Sequence, residues 1–453
     1  MNRKVMASTL KLVKIRLFFY LSVLCFYSPA DASNFFPKKS HPTESGYLPI
    51  NSTTSSAIFF VFYEAQTPVC RLSETPLLVW LQGGPGCSSQ LGNFFELGPW
   101  RLHYKTNSSK NPVVEPNPGA WNRKFGLLFL DNPIGSGFSI ASSPAEIPKN
   151  QYTVAKHLIY ALKSFISSDP LFKSRPLYIT GESYAGKYVP AVGYYIMQQC
   201  SELNFKGVAI GNGLTHPVTQ VATHAATAYY SGLINEKQRT QLEEIQALAV
   251  KLTQEAKWKE ATDARNRVLD WLRNATGLAT LYDFRRKTPY QTNIVAEFLN
   301  KDKVKTVLGV EKSMVWVECS VAVRDALQAD VMKSVKFMVE ELVKKSKVLL
   351  YQGQFDLRDG VVSTEAWVKE MNWEGLESFL MAERNIWRVN GELAGYVQKW
   401  GNLSEVVVSG AGHLVPADQA VNSQAMIEDW VLERGLFQDE KRSNSSSNFR
   451  GYP

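Results

Sequence analysis

The six residues Gly181-Glu182-Ser183-Tyr184-Ala185-Gly186 directly follow the apolar run Leu177-Tyr178-Ile179-Thr180. A strand that runs into a sharp turn of small residues, with a serine at its tip, narrows the possible folds sharply. Such a turn holds the serine in a strained backbone conformation with its hydroxyl projecting, and only small neighbours fit beside it. Gly181 and Ala185, two residues to either side of Ser183, meet that demand, with Ala185 standing where glycine is usual. The segment reads as a nucleophile elbow; the bland alternative is a helix start capped by Ser183.

An elbow of this kind implies an acid and a histidine on loops after later strands, in the chain order Ser, Asp or Glu, His. Downstream, Lys347-Val348-Leu349-Leu350-Tyr351 leads into Gly353-Gln354-Phe355-Asp356-Leu357-Arg358-Asp359-Gly360. Glu405-Val406-Val407-Val408 leads into Gly410-Ala411-Gly412-His413. Both are strand-then-glycine-loop units, and three such strand ends converge at the carboxyl edge of a sheet, where open α/β folds place their sites. Of six histidines only His413 has this context; His41, His103, His157, His216 and His224 read as structural or surface residues. Asp356 lies nearer its strand end than Asp359, but spacing leaves both open as the acid.

Upstream, Pro76-Leu77-Leu78-Val79-Trp80-Leu81 runs into Gln82-Gly83-Gly84-Pro85-Gly86-Cys87-Ser88-Ser89. A loop poor in side chains lets backbone N–H groups approach a ligand oxygen, as an oxyanion hole or a phosphate cradle. The phosphate reading needs a lysine at the loop's end, and none is there. The oxyanion reading names the amides of Tyr184 and Gly84 as donors.

With these residues in place, the chain resembles the serine carboxypeptidase family. The matching stretches are WLQGGPGCSS at 80–89, FFELGPW at 94–100, LDNPIGSGFS at 130–139, GESYAGKYVP at 181–190, GVAIGNGLTHP at 207–217, GQFDLRDG at 353–360 and SGAGHLVPADQ at 409–419. The resemblance implies an α/β-hydrolase fold: a central mixed, mostly parallel sheet with a helical insertion over the active site. It implies removal of single residues from peptide C-termini, best at acidic pH, without a cofactor. Carried over residue by residue, Ser183 is the nucleophile, Asp356 the acid and His413 the base, with Gly84 and Tyr184 forming the oxyanion hole. It further implies a site for the substrate's terminal carboxylate at Gln82, Gly83, Glu96 and Glu182, and a disulfide between Cys87 and Cys319. Gln82 departs from the usual Asn, keeping the amide but adding a methylene. Two adjacent carboxyls do not both ionise, so one of the glutamates holds a proton and donates it to a bound carboxylate.

The alternative within the same family is an acyltransferase that passes the acyl group to an alcohol. Such enzymes resemble the pattern GDSYSG with a non-amide residue before GGPG, whereas Glu182 and Gln82 stand here. A non-enzymatic binding protein on the same scaffold is a third reading, and it predicts a lost triad member. None is lost.

The first residues set the compartment. Arg3, Lys4, Lys11, Lys14 and Arg16 precede Leu17–Tyr27, and Ala30-Asp31-Ala32 follows, which is the form of a secretory signal over 1–32. Its apolar core is too short to span a bilayer comfortably, so stable membrane insertion is not expected. Removing the leader's five basic residues and its one acid from the formal +8 leaves +4, too little to suggest a nucleic-acid partner. The secretory route leads outside the cell or to a vacuole. It opens the acceptor sequences at Asn51, Asn107, Asn274, Asn402 and Asn444 to glycosylation. Cys25 leaves with the leader, so Cys70, Cys87, Cys200 and Cys319 remain, with three possible pairings. Metal-ligand spacing is absent.

The long gap from Ser183 to Asp356 turns helical in pattern, most clearly over Glu236–Leu272, where Leu242, Ile245, Leu248, Leu252, Trp258, Val268 and Leu272 recur among charges of both signs. The expected organisation is a first core segment over 33–215, a helical insertion over 216–326, a second core segment over 327–438 and a disordered polar tail over 439–453. The expected partners are peptide or protein C-termini, and a homodimer is compatible with the sequence.

Overall fold

A computed structural model describes residues 35–105 and 112–438. The leader, the tail, Asn107 and Asn444 lie outside the described residues. Contacts divide the chain into Met1–Lys39 and Ser40–Pro453, and the sheet and the site lie wholly in the second unit.

The strands are β1 (Glu44–Pro49), β2 (Ala57–Tyr63), β3 (Leu77–Leu81), β4 (Trp100–Tyr104), β5 (Pro112–Pro116) and β6 (Gly126–Leu130). They continue as β7 (Leu177–Glu182), β8 (Phe205–Gly211), β9 (Lys347–Gly353), β10 (Arg384–Val389), β11 (Glu392–Trp400) and β12 (Leu403–Val408). Ten of them form one sheet in the order β1-β2-β6-β3-β7-β8-β9-β12-β11-β10, with β4 and β5 paired apart. The run from β6 to β12 is parallel, and antiparallel pairs close both edges. This is the expected mixed, mostly parallel sheet of an α/β-hydrolase. β3, β6, β7 and β12 are buried at every position. Strands covered on both faces need continuous apolar runs rather than alternation, and Leu77-Leu78-Val79-Trp80-Leu81 supplies one.

One covering layer contains the helices Gln151–Ser168 and Ala185–Gln199. The first starts where Asn150 accepts a hydrogen bond from the Thr153 N–H at 2.9 Å. Its Leu158, Leu162 and Phe165 join Val189 and Val192 of the second, and Val79 and Ile179 of the strands, in one core.

The stretch with the clearest helical pattern, Glu236–Leu272, falls on two helices. Glu236–Gln254 ends before Ala256, which takes φ +55°, and Trp258–Thr276 follows. The first is opened by a reciprocal cap between Asn235 and Gln238. Its buried face is Leu242, Gln246, Ala249 and Thr253, while Leu248, expected inside, is 41% exposed. Three of the four inward positions are polar or small, so the apolar pattern misplaces the face by about one residue. This insertion has its own core, in which Leu242, Val268 and Leu272 meet Leu281 and Leu357. Leu357 is the residue after Asp356, so the insertion packs directly on the loop that carries the acid.

Candidate active site

Ser183 follows the last residue of β7 and takes φ +61°, a left-handed conformation that costs a non-glycine residue strain. Its N–H donates to Gly211 O and its carbonyl accepts from the N–H groups of Gly186 and Leu214, each at 2.9 Å. These bonds pin the turn between β8 and the helix Ala185–Gln199. Ser183 remains partly exposed while Glu182 and Tyr184 on either side are buried.

The glycine-rich loop after β3 lies against this turn. A Cβ on Gly83 would stand 2.6 Å from the Tyr184 nitrogen, so only glycine lets the loop reach the amide that follows Ser183. The two expected oxyanion donors, Gly84 and Tyr184, line one cavity wall with Ser183. Cys87, at the end of the loop, is disulfide-bonded to Cys319. Cys70 and Cys200, whose pairing the sequence left open, are both free.

His413 Nδ1 lies 2.7 Å from Asp356 Oδ2, and both side chains are buried. Asp356 also accepts from Asn212 Nδ2 at 2.7 Å and from the Arg358 and Asp359 amides at 2.7 and 3.2 Å. Four donors on one carboxylate fix its orientation. Asp359 points elsewhere, to Arg265 Nη2 at 3.2 Å. The loops that carry Asp356 and His413 touch backbone to backbone, because a Cβ on Gly353 would collide with Gly412 O. His413 Nε2 is buried without a hydrogen-bond partner and faces the cavity that Ser183 also lines.

That cavity, of about 180 Å³, is also lined by Gln82, Gly83 and Glu182. Gln82 Nε2 donates to Glu182 Oε1 at 2.7 Å and to Glu96 Oε1 at 3.2 Å, and its Oε1 accepts from Trp80 Nε1 at 2.9 Å. Both amide protons of Gln82 are thus held by the glutamates. Glu96 is presented by a single π-helical turn, Gly92–Leu97, whose backbone is tied to the His413 loop by Arg101, bonded to Glu96 O and Pro416 O. Burial raises the Glu96 carboxyl to about 7, and burial reinforced by Glu96 raises Glu182 well above the usual range. The pair therefore keeps a proton at acidic pH.

Two of the participants, Tyr282 and Arg101, have no motif of their own, and a third, Asn212, lies in a matching stretch that gave it no role. Asn212 sits in the Gly211-Asn212-Gly213 turn, at φ +43°, one strand from the elbow. Its sequence signals are its place after a buried strand and in the matching stretch GVAIGNGLTHP at 207–217, neither of which names its role. Tyr282, in the insertion, stacks on His413, and its carbonyl accepts the His413 N–H at 2.6 Å. Arg101 reads in sequence as an ordinary surface cation.

The described residues contain no cluster of three or more His, Cys, Asp or Glu able to hold a metal, and no helix long and apolar enough to cross a membrane.

The sequence profile named Serine carboxypeptidase matches residues 34–433. Serine carboxypeptidase-like 50 of Arabidopsis thaliana is 56% identical, over 95% of this chain and 98% of its own length. The venom serine carboxypeptidase of Apis mellifera is 33% identical, over 86% of this chain and 85% of its own. Among solved structures, Kex1Δp, a prohormone-processing carboxypeptidase from Saccharomyces cerevisiae, superposes with a TM-score of 0.77. It is 24% identical and covers 87% of this chain and 92% of its own, a likeness of fold. The chain belongs to the serine carboxypeptidase family.

Proposed function

We propose that this protein releases C-terminal residues from peptides through an acyl-enzyme. The observation that carries the reading is that Ser183, His413 and Glu182 line one cavity, with Gln82 holding Glu182 beside Glu96. A protonated carboxyl beside the nucleophile suits a substrate that brings a free carboxylate to it.

In this reading Ser183 Oγ attacks the carbonyl carbon of the last peptide bond while its proton passes to His413 Nε2. Asp356 holds the Nδ1–H and so fixes the tautomer. The amides of Gly84 and Tyr184 receive the developing oxyanion. His413 returns the proton to the leaving nitrogen, the C–N bond breaks, and water repeats the sequence on the ester. The protonated member of the Glu96–Glu182 pair donates to the substrate's terminal carboxylate, which favours acidic pH. No cofactor takes part.

The secretory route, outward or to a vacuole, is supported by the Cys87–Cys319 disulfide, which needs an oxidising lumen. Of the acceptor asparagines, Asn274 and Asn402 are exposed, and Asn51 uses its Oδ1 to accept from the Thr53 N–H. We assign the helical stretch over 216–326 as a cover for the site, with the core on either side.

Blocked dipeptides and an activated acyl donor with an alcohol acceptor, assayed from acidic to neutral pH, test the reading. Free C-terminal amino acid, released fastest at acidic pH, is expected. Ester formation without amino-acid release would replace it by the acyltransferase reading.

A further inference from the structure

A second cavity, of about 170 Å³, opens from the same serine and shares Gly84 and Ser183 with the first. His413 and Glu182 line only the first. On the carboxypeptidase reading, on which this inference rests, the leaving residue has its nitrogen beside His413 and its carboxylate beside the glutamates. It therefore fills the first cavity. The acyl residue stays bonded to Ser183, and its side chain is left with the second.

The charged residues lining this second cavity are Arg265, Arg324, Arg358, Asp325 and Asp359. Arg324 and Asp325 are exposed at its rim and face one another, with Arg324 Nε 3.6 Å from Asp325 Oδ1. Inside, one carboxylate serves two guanidiniums: Asp359 takes Arg265 Nη2 at 3.2 Å, and Arg358 Nε stays 3.7 Å away. That distance is too long for a hydrogen bond, and Arg358 Nε is buried without an acceptor. The unsatisfied group in the pocket is thus a cationic donor, whereas Asp359 is already committed to Arg265.

We infer that this pocket selects peptides whose penultimate residue carries a carboxylate, aspartate or glutamate, received by Arg358. A guanidinium pairs with a carboxylate by a planar, charge-assisted fork. A lysine in the same place meets a guanidinium whose neighbouring carboxylate is shared with Arg265, out of bulk water, and is rejected. The neutral amide of glutamine fits the space but offers only a neutral acceptor.

The test uses the mature protein with two substrate series. One is blocked dipeptides with a common C-terminal Phe and Glu, Gln or Lys before it; the other is methyl esters of blocked Glu, Gln and Lys, which engage the acyl pocket alone. In both, kcat/KM should favour Glu over Gln by roughly tenfold and over Lys by roughly a hundredfold. Arg358→Gln should bring the Glu/Lys ratio to within about threefold. Should that variant fail to fold, Arg324→Gln at the rim and the collapse of the wild-type ratio in high salt decide instead. Equal rates for Glu and Lys in both series overturn the inference, even if all peptides are cleaved. A Glu preference among esters with intact peptides keeps the pocket and removes the carboxypeptidase reading. Turnover of neither series overturns both.

Discussion

The ring of Tyr282 lies flat on the imidazole of His413, with centroids 4.4 Å apart and planes 12° from parallel. The Nδ1 edge of the imidazole is held by Asp356, so the ring has a wall as well as an anchor. Positioning of this kind is worth much in rate, because small displacements of a general base are costly. Tyr282→Ala should lower kcat by roughly tenfold or more, and Tyr282→Phe, which keeps the ring, should stay near the parent. Steady-state kinetics on one dipeptide separates them; equal losses in both variants would assign the effect to the hydroxyl instead.

Asp356 and Asp359 should fail in different ways. Asp356→Asn keeps the shape but presents the wrong hydrogen-bond polarity to His413, which costs about 10⁴-fold in kcat in comparable triads. Asp359→Asn strands the buried Arg265, and loss of one partner of a buried pair costs about 3–5 kcal/mol of stability. Kinetics and thermal melts on both proteins check this. A large kcat loss confined to Asp359→Asn would show that the roles are reversed.

The carboxyl pair predicts the pH profile of substrate binding. Burial raises Glu96 to about 7 and raises Glu182 well above the usual carboxylate range, so at acidic pH the pair holds a proton that it gives up as pH rises. KM for a free C-terminus should therefore rise on going above about pH 7. In Glu182→Gln the amide donates at any pH, and that rise should flatten. A KM profile identical to the parent's contradicts the assignment.

Glu405 tests the same physics away from the site. It is buried in β12, its Oε1 has no partner, and burial followed by Glu365 raises it from 4.5 to about 8. The folded protein then binds more protons here than the unfolded chain between those values. Its contribution is complete below 4.5 and is lost as pH rises to 8, with a limiting slope of about 1.4 kcal/mol per pH unit. Glu405→Gln should make stability less dependent on pH in this window, seen as a shallower fall of Tm. An unchanged slope would show that Glu405 ionises normally.

The parts of the molecule that could be read in sequence are those where backbone geometry restricts residue type. Ser183 at positive φ needs small neighbours, Gly83 must clear the Tyr184 amide, and the glycines around Asp356 and His413 let two loops touch. The Asn390-Gly391 turn between β10 and β11, both residues at positive φ, is equally legible as a hairpin signal. Tyr282 and Arg101 were not legible, and Asn212 stood in a matching stretch without a role, because all three act through tertiary placement and follow no period. The break at Ala256 was hidden for a related reason: an alanine in the left-handed region has no sequence signature, so the helical pattern over Glu236–Leu272 did not show where one helix ends and the next begins. The bridging of Glu96 and Glu182 by Gln82 depends on where three side chains meet, which spacing does not encode.

The central claim is that a terminal carboxylate is recognised beside Ser183. One peptide, prepared with a free and with an amidated C-terminus, measures this directly through kcat/KM at acidic pH. Amidation removes the anion that the protonated glutamate pair would otherwise receive, leaving a buried donor unpaired, so kcat/KM should fall by roughly 10²-fold. Equal cleavage of the free and amidated peptides would contradict the account.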